Sequence, residues 1–479
     1  MVWRRKAKIV CTIGPATDSE QKIEKLIEAG MDVARLNFSH GDHESHRDAI
    51  EKIRRVSGRL RKNIAILQDL QGIKIRVGKV RDTGVHLKKG DLLRIMKGDG
   101  VSSGDTIYIS YPWLIDDAVP GNRILIDDGL IQLNVEDKKE DYLIARVVEG
   151  GLLKDRKGVN LPHMKISAPS FTEKDKRDLD FGMEMGVDYI AISFVRSASD
   201  VIALKGLIEE KGRIIPIIAK IEKEEAIKDI DNILEESDGI MIARGDLGVE
   251  MPLEEVPLFQ KILIKKANDA MKIVITATQM LESMTQHSRP TRAEATDVAN
   301  AVLDGSDALM LSAETSTGRY PVDAVRVMDT IITFTERSQI GHVVAVFPDR
   351  GGCSLSDSSS IEKAIARAAA RAAMDIGAKV IVAFTRTGFT ARLISKFRPE
   401  TPIVAFSPDR DVVNRMSIYR GVEAYYIRNL TDTDEMIREV NSFIIENNLA
   451  EKDDKIILVT SHPVTASAKT NMMKVHIIQ

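Results

Sequence analysis

The stretch GIMIARGD, residues 239–246, joins a short apolar run, typical of a buried strand, to two charged residues flanking a glycine. Similar runs rich in Val and Ile recur along the chain, and each is followed by a longer amphipathic segment with helix-capping residues. The runs are AKIVCTIG (7–14), DVARLNF (32–38), NIAILQDL (63–70), DYIAISFV (188–195), IIPIIAKIE (214–222), GIMIARGD (239–246), KIVITATQ (272–279) and ALMLSAE (308–314). This alternation predicts an α/β protein built on a parallel (β/α)8 barrel, whose chemistry lies at the carboxyl ends of the strands.

One segment interrupts this barrel pattern. Between about residues 71 and 168 the apolar residues alternate with a period of two, as in NRILIDDGLIQLNV (122–135) around the turn at Asp128 and Gly129. The pattern predicts an inserted small β-barrel domain within a TIM barrel made from residues 1–70 and 169–340. Since the insert starts and ends near the carboxyl end of the third strand, we expect it to act as a lid over the barrel mouth.

A second α/β unit is expected at residues 345–479. The Gly- and Ser-rich stretch FPDRGGCSLSDSSS (347–360) is typical of a domain boundary. Four strand-like runs follow an Ala-rich helix: KVIVAFT (379–385), PIVAF (402–406), VEAYYI (422–427) and KIILVT (455–460).

The overall composition narrows the classes of partner. The 479 residues include 68 Lys and Arg against 71 Asp and Glu, a net charge of −3, which gives no electrostatic reason to expect nucleic acid or an anionic membrane. Cys11 and Cys353 form no disulfide framework or metal-ligand pattern, and no apolar run is long enough to cross a bilayer. Without a signal-peptide pattern at the start, we expect a cytoplasmic protein.

Charged residues at the ends of two neighbouring runs indicate a metal site. Lys220 and Glu222 are two positions apart on a strand, so they point to the same side at the barrel mouth. Glu222 and Asp246 could share a divalent ion, while Lys220 offsets negative charge that develops beside it. The structural alternative is an ordinary Lys–Glu pair with a helix-capping Asp.

The second and third runs predict a pocket for a monovalent cation. Arg35, Asn37 and Ser39 alternate on one face of a strand end, and Asp69 ends the next strand. The oxygens of Asn37, Ser39 and Asp69 can hold a cation while Arg35 reaches a phosphate. The histidines of HGDHESH (40–46) invite a zinc interpretation, but this spacing at a helix start is more typical of a polar surface.

Two further groups extend the candidate site. Thr278, at the end of another strand, can donate to a carboxylate or orient a proton-carrying water. Lys74, Arg76 and Lys157 lie at the two ends of the insert and bring positive charge for phosphate groups onto the lid.

Long motifs in this order resemble the pyruvate kinase family over essentially the whole chain. They are RLNFSHGDHESH (35–46), KGVNLP (157–162), AKIE (219–222), ARGDLGVE (243–250), ITATQMLESM (275–284) and RPTRAEATDVANAVLDGSDALMLSAETSTGRYP (289–321). The resemblance implies Mg²⁺-dependent phosphoryl transfer from phosphoenolpyruvate to ADP, which yields pyruvate and ATP in the last step of glycolysis. It also implies that Mn²⁺ can replace Mg²⁺, that K⁺ is the usual activator, and that the chain forms a homotetramer.

The resemblance also implies roles for single residues. Those for substrate binding and catalysis are Arg35, Lys220 and Thr278, with the backbone at Gly245 and Asp246 against the substrate carboxylate. Glu222 and Asp246 correspond to the Mg²⁺ ligands, and Asn37, Arg76 and Lys157 to the nucleotide-binding positions. The proton donor to enolpyruvate does not follow from the sequence, and a water held by Thr278 is our hypothesis.

One departure from the family pattern concerns the K⁺ pocket formed by Asn37, Ser39, Asp69 and Leu70. Many members carry an acidic residue where this chain has Lys74, in DLQGIKIR (69–76). An ammonium group there supplies the positive charge itself, so we expect weak K⁺ dependence or none.

A candidate effector site lies in FTRTGFTARLIS (384–395), where Thr385, Thr387, Gly388 and Thr390 surround a helix start suited to a phosphorylated effector. The alternative is a capped turn with no ligand. The facing loop TSHPVTASAKTN (460–471) lacks the glycines of many fructose-bisphosphate-responsive relatives, so a different effector, or none, is expected.

Two rival functions share some of these features. A lyase acting on phosphoenolpyruvate or pyruvate would use a barrel and a Mg²⁺ held by two carboxylates, but would not need Arg76 and Lys157. A metabolite sensor on the same barrel would not need Lys220 or the Mg²⁺ ligands. The sequence has every one of these residues, which favours the kinase.

Overall fold

The computed structural model describes residues 5–338, 361–430, 432–461 and 469–479. The predicted boundary stretch at 347–360, with Cys353, and residues 462–468 of the loop that faces the effector region lie outside these ranges.

Eight parallel strands close into a barrel, as predicted. In chain order they are Lys8–Thr12, Val33–Asn37, Ala65–Asp69, Tyr189–Ile192, Ile217–Ile221, Gly239–Ala243, Ile273–Ala277 and Ala308–Leu311. The first strand pairs with both the second and the last, which closes the ring. Each strand lies within one of the eight apolar runs, because a parallel barrel buries both faces of its strands.

Helices cover the outside of the barrel and pack on the apolar outer face of the strands. They are Glu20–Ala29, His43–Leu60, Glu173–Glu184, Ala198–Glu210, Glu224–Lys228, Ile230–Glu236, Arg244–Glu250, Val256–Asp269, Arg292–Asp304, Ala313–Ser316 and Pro321–Arg337, with a 3₁₀ turn at Glu282–Thr285. Helix Arg292–Asp304 shows how local sequence sets the ends: Thr291 and Glu294 form a capping box, and Gly305 ends the helix in a left-handed conformation.

The segment between the third and fourth barrel strands is a separate β unit. Its strands are Lys79–Val80, Val85–Leu87, Leu92–Lys97, Val101–Ser102, Thr106–Ile109, Arg123–Ile126, Ile131–Lys138, Tyr142–Glu149, Gly151–Leu153 and Val159–Asn160, with a short helix at Leu114–Asp117. The predicted hairpin around Asp128 and Gly129 is confirmed. Where the sequence suggested a small barrel, six strands form one sheet and four short strands pair in two smaller sheets.

The C-terminal unit is a five-stranded sheet with helices. In spatial order its strands are Val422–Tyr426, Ile403–Ser407, Ile381–Phe384, Lys455–Thr460 and Met472–Ile477, of which the last, antiparallel, strand was not predicted. The helices are Ile361–Asp375, Phe389–Lys396, Arg410–Arg415 and Thr433–Glu446, with a 3₁₀ turn at Met416–Ile418.

The C-terminal unit contacts the barrel at the end where the parallel strands begin. The Nζ of Lys8 donates to the carbonyl of Val422 at 2.9 Å, and the Lys396 ammonium pairs with Asp307 at 2.6 Å. The carboxyl ends of the barrel strands therefore lie on the side away from this unit. Within the described ranges, no helix is long and apolar enough to cross a membrane.

Candidate active site at the barrel mouth

Strand register brings the candidate residues to one end of the barrel. Asn37 is opposite Asp69 on the neighbouring strand, and Thr12 is opposite Arg35. Lys220 lies near the end of its strand, and Asp246 lies in the first turn of the helix that follows Ala243. Because the barrel strands are parallel, all these positions are at their carboxyl ends.

Asp69 is the centre of a buried charge cluster. Its side chain is 1% exposed, and its Oδ2 accepts a hydrogen bond from the Arg35 Nε at 2.7 Å and lies 2.6 Å from the Arg35 Nη2. The Lys220 Nζ lies 3.2 Å from the other oxygen. Burial works to raise the pKa of Asp69, but Lys220 and Arg35 outweigh it and hold that pKa below its ordinary value. One ionised carboxylate thus positions both cations.

Lys220 is held from several sides. Its Nζ lies 2.9 Å from Glu222 as well as close to Asp69, and it donates to the Ser193 hydroxyl at 2.8 Å. Burial works to lower the pKa of Lys220, but Asp69 and Glu222 raise it above its ordinary value. Lys220 therefore carries its positive charge throughout the physiological pH range.

Two hydroxyls in this cluster were missed by the sequence analysis. Ser193 donates to the carbonyl of Leu70 at 2.7 Å while it accepts from Lys220, and Thr12 accepts from the Arg35 Nη1 at 2.9 Å. Both are polar residues at the end of a predicted run, which is the signal that could have found them. They were overlooked because Ser and Thr are common at strand ends for other reasons.

Glu222 and Asp246 form the pair predicted to hold a divalent cation. Glu222 is 2% exposed and accepts the Phe194 amide at 2.7 Å, whereas the Asp246 carboxylate has no hydrogen bond or ion pair to another described residue. Burial, followed by the charge of Glu222, raises the pKa of Asp246 to about 7. Two carboxylates crowded together, one of them unpaired, have the oxygen donors that Mg²⁺ prefers.

The number of protein ligands also fits Mg²⁺. In the part of the chain that the structure describes, no group of three or more His, Cys, Asp or Glu side chains is placed to hold a metal. Mg²⁺ is commonly bound by one or two carboxylates, with waters and substrate oxygens completing its octahedron. The histidines at 40–46 have other contacts: His43 bonds Asp178 at 2.8 Å, and His46 stacks on Phe38.

The backbone at Thr278 adopts a sparsely populated conformation. Its φ is 69°, a left-handed value that β-branched residues rarely take. The Thr278 hydroxyl accepts the Gly245 amide at 2.8 Å, and Arg244 donates to the Thr278 carbonyl at 2.8 Å. Arg244 is itself held by Asp297 at 2.6 Å. The sequence analysis assigned no role to Arg244, which ties the Thr278 turn to the Gly245 backbone beside Asp246.

The cations predicted on the lid lie at its junction with the barrel. Arg76 forms a backbone bridge with Gly158, next to Lys157, so the two ends of the insert meet. Lys157 pairs with Asp127 at 2.9 Å. Burial and then Arg76 lower the pKa of Lys74, whereas Asp246 acts to raise it, which places Lys74 in the electrostatic field of the active site.

The residues predicted to form a cation pocket lie near one another at the mouth. The Asn37 side-chain oxygen accepts the Ser39 amide at 3.1 Å, and the Leu70 carbonyl accepts the Ser193 hydroxyl. Both oxygens of Asp69 have donors within the cluster described above. Lys74 makes no ion pair among the described residues.

The candidate effector residues surround the N-terminus of helix Phe389–Lys396. Gly388, with φ of 85°, caps the helix, and its amide donates to the Thr385 hydroxyl at 3.0 Å. The Thr387 hydroxyl accepts a hydrogen bond from the Phe389 amide at 3.4 Å, and the Thr390 hydroxyl lies 2.6 Å from that of Thr470. A capped turn without a ligand would have the same hydrogen bonds, so the geometry is compatible with an effector site and with a simple capped turn.

Comparisons with known proteins identify the family. The sequence model of the pyruvate kinase barrel domain matches residues 4–325, and that of the pyruvate kinase alpha/beta domain matches residues 363–476. This chain belongs to the pyruvate kinase family. It is 45% identical to the pyruvate kinase of Geobacillus stearothermophilus over 99% of this chain and 81% of the relative. It is 44% identical to a Mycobacterium tuberculosis pyruvate kinase over 98% of both chains.

A solved structure supports the same conclusion about the pyruvate kinase fold. A pyruvate kinase from Cryptosporidium parvum superposes with a TM-score of 0.91 at 39% identity, covering 99% of this chain and 97% of that one. The agreement includes the barrel, the insert and the C-terminal unit, since nearly all of both chains is aligned.

Proposed function

We propose that this chain transfers the phosphoryl group of phosphoenolpyruvate to ADP, with Mg²⁺, to yield pyruvate and ATP. The observation that carries the proposal is the Lys220 ammonium, held between Asp69 and Glu222 at the barrel mouth. Phosphoryl transfer depends on positioning and on neutralising charge spread over the transferring group, and a rigid, permanently charged lysine provides both.

Arg35 and Lys220 are proposed to bind the phosphoryl group from one side. Asp69 holds both cations, and Thr12 fixes the Arg35 fork, so their positions are set before substrate arrives. Such preorganisation avoids the cost of reorienting the cations as charge develops in the transition state.

Glu222 and Asp246 are the proposed ligands for Mg²⁺, with Mn²⁺ as a substitute. When bound, the ion neutralises charge on the substrate oxygens and orients them. The charge of Glu222 acts on Asp246, and a bound cation would offset the repulsion between these two carboxylates.

On the opposite side, we assign the substrate carboxylate to the Gly245 and Asp246 backbone and to Thr278. Thr278 is held by its bonds to Gly245 and Arg244, so its hydroxyl occupies a defined position from which it can orient a water. That water would deliver the proton to enolpyruvate after phosphoryl transfer.

The nucleotide is assigned to Asn37, Arg76 and Lys157, with the insert acting as a lid. The K⁺ pocket is assigned to Asn37, Ser39, Asp69 and Leu70, where we expect Lys74 to make K⁺ dispensable.

Further proposals concern regulation, assembly, location and domain limits. They are a phosphorylated effector at Thr385, Thr387, Gly388 and Thr390, a homotetramer, a cytoplasmic location, and the domain limits 1–70 with 169–340, 71–168 and 345–479.

The test is the initial rate of pyruvate formation from phosphoenolpyruvate and ADP with Mg²⁺. We expect turnover by the wild-type chain, and a kcat on the order of 100- to 1000-fold lower for Lys220→Met, the loss typical of removing one preorganised charge-stabilising group. Lys211→Met, on an exposed lysine, should match the wild type. Folded protein that shows no turnover with or without K⁺ would contradict the proposal and favour the lyase or the sensor.

A further inference from the structure

A cavity of about 220 Å³ lies between the barrel and the C-terminal unit, at the opposite end of the barrel from the active site. Its barrel side consists of residues 5–6 and the end of helix Pro321–Arg337, and its other side of Ser395 and residues 399–403 with Arg420 and Gly421. Since a water molecule occupies roughly 30 Å³ in the liquid, the cavity has room for a small organic molecule.

The lining has more cations than carboxylates. Its charged residues are Arg5, Lys6, Arg337 and Arg420 against Glu336 and Glu400. Arg5 is compensated by residues outside the lining, since it lies 2.8 Å from both Asp32 and Asp329. Of the remaining cations, Arg420 pairs with Glu336 at 3.2 Å, whereas Lys6 and Arg337 make no ion pair with another described residue.

Glu336 accepts from three donors. Its carboxylate accepts the backbone amide of Lys6 at 2.7 Å and that of Ala7 at 2.9 Å, and a guanidinium nitrogen of Arg420 lies 3.2 Å away. Since two amides share its charge, Glu336 compensates Arg420 only in part.

Arg420 carries an unsatisfied donor. The residue is 7% exposed, and its Nε has no hydrogen-bond partner among the described residues. Buried guanidinium nitrogens are normally paired, so an orphaned Nε in a cavity wall marks a place for an acceptor.

Lys6 lies close to Arg420, and the carboxylates of Glu336 and Glu400 compensate its charge only in part. Its Nζ has one long hydrogen bond, 3.4 Å to the carbonyl of Pro399, and it makes no ion pair within the described ranges. Burial and then the charge of Arg420 lower the pKa of Lys6 to about 8. Lys6 and Arg420 therefore act on each other as like charges, which Glu336 and Glu400 in the lining offset only in part.

We propose that this cavity binds a small organic anion through Arg420 and Lys6. The ligand carries a phosphate or a carboxylate group, the two anions that guanidinium and ammonium groups recognise. It would contact both units where they are already joined by the bond from the Gly421 amide to the Lys6 carbonyl at 2.9 Å.

The experiment is calorimetric titration of the full chain with inorganic phosphate and, separately, with succinate. Arg420→Gln should weaken binding of the preferred probe about tenfold or more, the value of a charged hydrogen bond. Lys6→Gln should weaken it about threefold, as for a partly exposed charge. Arg326→Gln, exposed on the same barrel helix, should bind as the wild type does.

Lys6→Gln keeps the test decisive if Arg420→Gln does not fold, because the Lys6 side chain makes only one weak bond to the part of the chain that the structure describes. Phosphate sites elsewhere are unchanged in every variant, so only the difference between variants reports on the cavity. Crystals soaked in selenate should show an anomalous peak within hydrogen-bond distance of the Arg420 Nε.

Preference for phosphate would identify a phosphorylated ligand, and preference for succinate a carboxylate; either supports the proposal. Two results would overturn it: neither probe binds, or the folded variants bind the preferred probe with the wild-type Kd and the selenate peak is absent.

Discussion

Replacing Asp69 with Asn removes the carboxylate that holds two buried cations while keeping its size. The side chains of Arg35 and Lys220 are only 10% and 12% exposed; Arg35 loses its charged acceptor, and Lys220 keeps only Glu222. Breaking a buried ion pair by removing one partner costs about 3–5 kcal/mol, because the remaining charge stays buried without compensation. We expect Asp69→Asn to lower the stability of the barrel by this amount.

Thermal unfolding measures the effect. For a domain of roughly 250 residues, 3–5 kcal/mol corresponds to a Tm about 6–10 °C lower, at about 2 °C per kcal/mol. Asp48→Asn is the matched control, since Asp48 pairs with Lys52 but is 60% exposed, and its loss should cost less than about 1 kcal/mol. The difference in Tm between the two variants separates the cost of leaving a charge buried from the cost of losing an ion pair.

The same variant should also impair catalysis. Without Asp69, Arg35 and Lys220 repel each other and leave the positions they hold for the phosphoryl group, and such displacement costs on the order of 100-fold in kcat. Combining Asp69→Asn with Lys220→Met should lose less stability than the two single changes together, by about 0.5–3 kcal/mol. A Tm and a kcat for Asp69→Asn that both match those of Asp48→Asn would refute this reasoning.

Three further predictions concern the other parts of the site. Thr278→Ala should slow enolpyruvate protonation, measured by solvent deuterium entering pyruvate, more than phosphoryl transfer; equal losses would contradict the role of Thr278. Activity in K⁺ and in tetramethylammonium should agree within about threefold if Lys74 supplies the charge, and Lys74→Glu should create K⁺ dependence; a wild-type rate that collapses without K⁺ would rule this out. Glu222→Gln should raise the Mg²⁺ concentration for half-maximal rate on the order of 100-fold, while the exposed control Glu209→Gln should leave it unchanged.

Much of the fold could be predicted because local sequence patterns determine most of its strands and helix ends. The eight barrel strands follow from short Val- and Ile-rich runs, and the capping box at Thr291 and Glu294 with Gly305 sets the ends of one helix. The strand Met472–Ile477 was missed because its sequence, MMKVHI, has no clear alternation of buried and exposed residues. It forms a strand by pairing with Lys455–Thr460, whose apolar run predicts a strand without a partner. Edge strands depend on the neighbour they join more than on their own sequence.

The sequence by itself predicted which charged groups meet at the barrel mouth. Lys220, Glu222 and Asp246 stand at strand ends, and in a parallel barrel this position alone predicts that they meet at the mouth. Residue type and spacing were sufficient because the strand period and the barrel geometry convert sequence positions into a common location.

Only the tertiary structure decided how these groups are held and charged. Asp69 was predicted as a cation ligand, yet in the fold it also positions Arg35 and Lys220, and Ser193 joins the same cluster. The repelling pair of Lys6 and Arg420 is formed by residues more than 400 positions apart. Burial and distance set both pKa values and pairing, and these arise only when strands and units that are remote in sequence pack together.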